Sequence, residues 1–274
     1  MIKYLRKFYF LIILILLVAC TPQKYLIKYD VDKTDKKISN ISDSKIGILL
    51  FEDNRPSIER TGKISGFSDT FITKDELLFE QPIPVMVAEA IQRHLKSRWN
   101  SNVSVLDKKS NEINIEYLEN QKNEKYDYIL IGSIAHFTQM KFDEHYTARM
   151  AGAAISGLLW PLAPILFPIS VAVGEVQKTT EIDFNKLYLI KIDGPQIIWQ
   201  GQCKTSSTEN VAVTDGTESS LKFYTENLKK AITCISETVS LSAEMDFPNK
   251  LSVDQTKKLI NHLTRSQSLN NLNY

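Results

Sequence analysis

Apolar strand-like runs and one helical stripe alternate along the first half of the chain after residue 44. Three short runs rich in β-branched and aromatic residues predict buried strands. They are 45–51, 103–106 and 126–137. Val87, Ile91 and Leu95 recur every four residues and predict an amphipathic helix that begins near Pro84. Residues 52–81 follow no such period, so we expect an irregular loop there.

The second half predicts an antiparallel hairpin and then a long helix. Residues 181–192 alternate, Gly194 and Pro195 suit a turn, and 196–204 would pair back. The alternation places Ile182, Phe184, Tyr188 and Ile190 on one face, interrupted by Lys186, and Leu187 and Leu189 on the other. The helix carries one apolar stripe, formed by Leu221, Tyr224, Leu228, Ile232, Ile235 and Val239.

This order of elements predicts an α/β fold, in the sense of an α+β sandwich. We expect a mixed sheet of about five strands covered by helices. The folded part would be a single domain at 45–247, with a charged, irregular segment between its second and third strands. Residues 248–274 would add a short helix and a disordered, Asn/Ser-rich tail.

The N-terminus has the pattern of a lipoprotein signal peptide at 1–19. Basic residues precede an apolar run at 8–19, which is too short to span a bilayer comfortably as a mature helix. The run ends in Leu-Val-Ala-Cys at 17–20, which resembles a lipobox. We therefore expect cleavage before Cys20 and acylation of its thiol and new N-terminus with fatty-acid chains such as palmitate. A plain secretory signal is the alternative.

The residue after the cysteine predicts where the protein would reside. Thr21 is not the aspartate that retains enterobacterial lipoproteins at the inner membrane, so we expect the periplasmic face of the outer membrane. In a host with one membrane, the outer face of the cell membrane is the alternative. Residues 20–44 are polar and lysine-rich, which predicts a flexible tether between lipid and domain.

An uncharged apolar insertion at 148–176 interrupts the domain between its third and fourth predicted strands. No charged residue lies between Arg149 and Glu175, and Pro161 divides the stretch into two arms that are each too short to span a bilayer as a helix. The segment is therefore predicted to be a helical hairpin that meets a membrane, another subunit or its own core. The candidate contact residues are Ile155, Leu158, Leu159, Trp160, Ile165, Leu166 and Phe167.

Charge and motif content argue against several function classes. The 33 basic and 32 acidic residues give a net charge of +1, without an electrostatic footprint for nucleic acid. The four histidines have no metal-ligand spacing, and we find no nucleophile motif or phosphate loop, so we expect no cofactor, no metal and no enzyme activity. Glu52 and Asp53 could be paired carboxylates for glycan hydrolysis, but local pairing of Asp53 with Arg55 is the favoured interpretation.

The two remaining cysteines could form one disulfide. Cys203 falls on a predicted strand and Cys234 on the flank of the last helix, which a sheet-covering packing could bring together. The alternative is a pair of small buried hydrophobic residues.

Several of these features together resemble a group of envelope lipoproteins. They are the lipobox, the opening strand with its end at 46–53, Arg55-Pro56, Gly62, the helix after Pro82, and Ile-Trp-Gln-Gly at 198–201. The chain is similar in them to curli-secretion-channel and penicillin-binding-protein-activator lipoproteins. The resemblance implies scaffolding, channel assembly or partner activation and no reaction.

The expected function is therefore a lipid-anchored periplasmic scaffold that binds other envelope proteins, and it could also form a homo-oligomer. Asp53, Arg55 and Gly62 in the loop after the first strand are a candidate interaction site. Activation of a cell-wall-modifying enzyme, or less plausibly such an activity itself, is one alternative. Carriage of a lipid or glycolipid is the other.

Overall fold

The strands of the protein form one mixed sheet with helices on both faces. The computed structural model describes residues 44–62, 70–72, 79–99, 102–124, 126–143, 151, 175–212, 217–244 and 251–270. Its strands are β1 (Lys45–Leu50), β2 (Glu52–Asp53), β3 (Thr70–Ile72), β4 (Asn102–Lys109), β5 (Tyr128–Phe142), β6 (Glu175–Lys191) and β7 (Gln196–Ala212). The predicted α/β class and mixed sheet are confirmed.

Five long strands follow the order β4-β1-β5-β6-β7. Strand β1 runs parallel to both of its neighbours, whereas β6 is antiparallel to both β5 and β7. The short strands β2 and β3 also pair with β5, which makes β5 the centre of the sheet. The run predicted at 126–137 is therefore the central strand, and the β6–β7 hairpin turns at Gly194 with a φ of 66°.

Helices cover both faces of this sheet. They are α1 (Ser57–Thr61), α2 (Ile83–Trp99), α3 (Ile115–Asn123), α4 (Thr217–Glu244) and α5 (Val253–Asn270). The apolar stripes of α2 and α4 pack with one face of the sheet into the larger core, so both predicted stripes are confirmed. His94 of α2 is buried in this layer and forms a 2.9 Å hydrogen bond with Ser236 of α4.

The smaller core lies on the opposite face, under α3 and α5. Leu118 of α3 and Ile260 of α5 pack there against Ile129 and Ile190 of the sheet. Both helices have side-chain caps at their starts. Asn114 accepts a 2.7 Å hydrogen bond from the Tyr117 N–H, and Ser252 and Gln255 bond reciprocally to each other's backbone N–H groups.

Two predicted irregular stretches contain regular elements, and the C-terminal helix extends into the predicted tail. The loop at 52–81 includes α1 and β3, and the charged segment after β4 includes a 3₁₀ turn (Ser110–Glu112) and α3. These elements are too short, or too polar, to show an apolar period. The C-terminal helix runs to Asn270, which is further than the short helix expected after residue 248.

The predicted faces of β6 were wrong, because a β-bulge interrupts its alternation. The register with β7 shifts between Phe184 and Leu187, and Lys186 has a φ of 49°. An extra residue reverses every later side chain. Phe184 and Leu187 therefore both face the larger core, whereas Tyr188 packs against the smaller one.

The chain enters the sheet at one end and leaves for the apolar insertion at the other. The backbone N–H of Lys45 donates a 2.7 Å hydrogen bond to Asp127, beside the start of β5. The β5–β6 ribbon then continues in antiparallel pairing to Phe142 and Gln177. Among the described residues, Phe142 and Gln177 thus mark the far tip of this ribbon, on either side of the predicted insertion along the chain.

Candidate functional site

The loop after β1 is held by a buried ion pair. Arg55 donates two 2.8 Å hydrogen bonds, from Nε and Nη2, to the two carboxylate oxygens of Asp53, and its side chain is only 2% exposed. Burial would raise the pKa of Asp53, but the hydrogen bonds and charge of Arg55 outweigh it and hold that pKa below its usual value. The favoured local pairing of these residues is confirmed.

A second contact fixes α1 against the central strand. The Glu59 carboxylate accepts a 2.6 Å hydrogen bond from Nδ1 of His136 and a 3.3 Å bond from the backbone N–H of Phe137. Gly62 ends α1 with a φ of 73°, a conformation that suits glycine. The charged groups of the candidate loop site therefore position the loop itself, and Asp53 is paired with Arg55 rather than with Glu52.

Cys203 and Cys234 are joined by a disulfide in the structure, with their Cα atoms 5.9 Å apart. The bridge links β7 to α4 across the larger core, and Cys203 is fully buried. This is the pairing that the strand and helix positions suggested.

A polar cleft opens on the other face of the sheet, where the bulge of β6 lies beside β5. Its volume is about 310 Å³. The side chains that line it come from β2, the 3₁₀ turn, β5 and β6. They are Glu52, Asn54, Ser110, Asn111, Ile131, Ser133, Ala135, Asn185, Lys186 and Tyr188.

Hydrogen bonds organise the floor of this cleft. Ser110 accepts a 3.1 Å bond from the N–H of Gly132, and Ser133 donates to the side-chain oxygen of Asn185. The Oδ1 atom of Asn111 is buried and accepts no hydrogen bond from the described residues. Burial raises the pKa of Tyr188, so its phenol stays neutral and able to donate near pH 7.

Sequence analysis did not identify this cleft. Its residues are spread over four elements, and the bulge that brings Asn185 and Lys186 to its rim is set by strand register. One signal was present, since Lys186 breaks the apolar alternation of its strand. Strained non-glycine residues concentrate at functional sites, which makes the cleft a candidate.

Cys20 and the candidate contact residues of the insertion lie outside the described residues. They are Ile155, Leu158, Leu159, Trp160, Ile165, Leu166 and Phe167. Within the described part of the chain, no group of side chains has the arrangement of a metal site. None of the helices there has both the length and the apolar character needed to cross a membrane.

Comparisons with known proteins found structural likenesses alone. No protein-family model matches it, and no curated sequence does either. A Xanthomonas campestris protein of family DUF330 is similar in structure, with 10% identity, a TM-score of 0.44, and coverage of 82% of this chain and 98% of that one.

Two further solved structures are similar at the same level. A neuraminyllactose-binding hemagglutinin homologue from Helicobacter pylori has 12% identity and a TM-score of 0.40, and the match covers 89% of this chain and 99% of that one. The PelC dodecamer from Paraburkholderia phytofirmans has 10% identity and a TM-score of 0.32, with coverage of 72% and 91%. Likenesses this weak assign neither family nor activity.

Proposed function

We propose that the protein is a non-enzymatic, lipid-anchored envelope component that binds other proteins. The anchor is Cys20 and the binding element is the apolar insertion at 148–176. The β5–β6 ribbon supports the proposal, because its described residues nearest the insertion along the chain, Phe142 and Gln177, pair at the tip furthest from the start of the domain. Because a large exposed apolar surface is unusual on a monomer, we expect a segment of this composition to be buried against another protein.

The length of the β5–β6 ribbon separates the tip, which is next to the proposed binding element along the chain, from the end of the sheet where the tether enters. Strand β5 has 15 residues, which corresponds to about 45 Å at roughly 3.3 Å per residue. The tether at 20–44 reaches at most about 80 Å when fully extended. A flexible tether of that length leaves the domain free to turn, so the tip can reach a partner away from the anchoring membrane.

The surface around the tip agrees with a contact role. Phe142, the last residue of β5, is 38% exposed and is among the few large apolar side chains of the described residues that face solvent. The ionisable groups of the predicted loop site, Asp53 and Arg55, pair with each other and hold the loop, as described above. A binding surface at the tip therefore requires no reactive group from that loop.

Cross-linking in intact envelopes tests the proposal. The paired substitutions Leu158→Asp and Leu159→Asp should remove the cross-linked partners of the full chain. The control is Ile58→Asp, since Ile58 of α1 is an apolar side chain that is 41% exposed away from the tip. Unchanged cross-links in the double variant would rule the insertion out as the contact.

The identity of the captured partner separates the remaining alternatives. Recovery of a cell-wall-modifying enzyme would favour an activator, and recovery of copies of the chain would favour a homo-oligomer. If the double variant instead lowers the unfolding midpoint of the purified protein, the segment packs into its own core. That result would contradict the proposed contact role.

A further inference from the structure

The outer edge of β7 is the long open edge of the sheet. In the part of the chain that the structure describes, the sheet ends at β4 on one side and at β7 on the other. Strand β4 has eight residues, and Gln92 of α2 donates a 3.0 Å hydrogen bond to the carbonyl oxygen of Val103. Strand β7 has 17 residues, and only its start is capped, where the Ile197 N–H donates to Thr256 of α5. Beyond that cap, no described strand lies beside β7, so its edge presents backbone donors and acceptors.

The polar side chains on the open face of β7 are bonded to β6 and do not cover this edge. They form three pairs with β6 at 2.6–3.1 Å, namely Gln202–Asp183, Lys204–Glu181 and Thr208–Thr179. Native proteins often protect an edge strand with a lysine. Here the charge of that lysine is drawn back across β6 and is balanced by a carboxylate.

The side chains on the other face of β7 are bonded to α4. The Thr205 hydroxyl donates a 3.2 Å hydrogen bond to the backbone carbonyl of Asn227, and the Ser207 hydroxyl accepts a 2.6 Å bond from the Asn227 amide. Between them, Ser206 is exposed and small. The edge from 202 to 208 is therefore bare backbone, with its longer side chains held on either side of the sheet.

Helix α4 determines what can pair with this edge, because it lies directly over β7. The Thr205 hydroxyl reaches the α4 backbone, and the disulfide joins Cys203 of β7 to Cys234 of α4. If the β7 edges of two copies paired around a two-fold axis, the strands would be about 4.8 Å apart, with both α4 helices on the same face. Packed helices need about 8–10 Å between their axes. A second copy is therefore too bulky, whereas a single extended peptide fits.

We propose that the β7 edge from Gln202 to Thr208 binds an extended, proline-free segment of a partner protein as an added strand. Main-chain hydrogen bonds would supply the affinity, as in other cases of strand addition. The segment should have uncharged, small or β-branched side chains, because its neighbours on the open face are hydroxyls, an amide and a lysine that Glu181 already neutralises. The inference goes beyond the proposed function, since it concerns the described sheet and not the apolar insertion, so either can fail alone.

Hydrogen exchange of the full mature chain in detergent, read by mass spectrometry, tests the edge with a synthetic peptide. The probe is Ser-Val-Thr-Val-Thr-Val-Ser, and the matched control peptide has proline in place of the central valine. With the probe in large excess, exchange at 202–208 should slow by about threefold or more, because the outward N–H groups become paired. The proline peptide should not slow it. Unchanged exchange with the probe, or equal slowing with both peptides, would overturn the proposal.

Two neighbouring proline substitutions locate the binding on the chain. In an antiparallel strand successive N–H groups point to opposite sides, so one of Ser206→Pro and Ser207→Pro removes an outward donor and the other removes a bond to β6. The outward variant should fold, because proline is tolerated where its nitrogen faces away from the ladder, and it should bind the probe about 2–10-fold more weakly. A folded proline variant with wild-type affinity would overturn the proposal. If neither variant folds, the two peptides on the wild-type chain decide.

Sedimentation of the full mature chain separates the partner peptide from a second copy. The mass of the sedimenting species should be the same in the wild type and in the folded proline variant. A dimer that the substitution converts to a monomer would show that a copy of the chain occupies the edge, and it would overturn the proposal.

Discussion

The disulfide between Cys203 and Cys234 should contribute a large part of the stability of the domain. The bridge closes a loop with a sequence separation of 31 residues. For a loop of that length, the chain-entropy relation gives about 3.7 kcal/mol at 25 °C. With a urea m-value of about 2–3 kcal/mol/M, the unfolding midpoint should fall by about 1–2 M on reduction.

Urea unfolding with and without reductant measures this contribution. The mature chain is used with Cys20→Ser, so that Cys203 and Cys234 are the two cysteines counted in the thiol assay. Because Cys203 is only 1% exposed, the disulfide is reduced in the unfolded chain, which is then refolded. The variant Cys203→Ala with Cys234→Ala is the control and should not respond to reductant. Equal unfolding midpoints for the oxidised and the reduced protein would refute the expected stabilisation. Two free thiols in the untreated protein would refute the disulfide itself.

Three substitutions and one control substitution test other parts of the fold by urea unfolding. Asp53→Asn should cost about 1–3 kcal/mol at pH 7. Because the pKa of Asp53 is lowered in the fold, its contribution is fully present above the unfolded-state pKa of about 4 and is lost as the pH falls through the folded value, so wild type and variant should converge once the pH is below that folded value. Lys186→Gly should remove the backbone strain of the positive φ at this position and raise the free energy of unfolding by up to about 1 kcal/mol. The control Lys191→Gly, in the same strand, should lower the free energy of unfolding by about 0.5–1 kcal/mol. Ile91→Ala, at a fully buried site of α2, should cost about 2–5 kcal/mol.

Each of these outcomes can fail in its own way. A pH-independent effect of Asp53→Asn would remove the ion pair as its cause. Equal losses for the two lysine variants would mean that Lys186 is not strained. A loss under about 1 kcal/mol for Ile91→Ala would show that the larger core does not pack around α2 as described.

The long elements could be predicted because their apolar periods report burial directly. The apolar stripe of α4 and the apolar run of β5 are continuous over many residues. A single residue that departs from the pattern therefore does not obscure the prediction. Helix α3 has nine residues and one fully buried leucine, which is too little to establish a period. Its start is marked by the Asn114 cap rather than by hydrophobicity.

The polar cleft could not be predicted because it depends on strand register. A bulge inserts one unpaired residue into a strand and leaves no mark in the amino-acid composition. Here it places Tyr188 on the opposite face of the sheet from Phe184. Asn111 and Asn185 are ordinary surface residues by sequence. They come together because β5 places the 3₁₀ turn beside β6.

Intact-mass and peptide analysis of the N-terminus of the mature protein tests the central claim most directly. The account predicts that the mature chain begins at Cys20, carries acyl chains on that residue, and partitions with membranes, while a Cys20→Ser form stays unprocessed or diffuses freely. A mature chain cleaved at another position and free of fatty acid would contradict it.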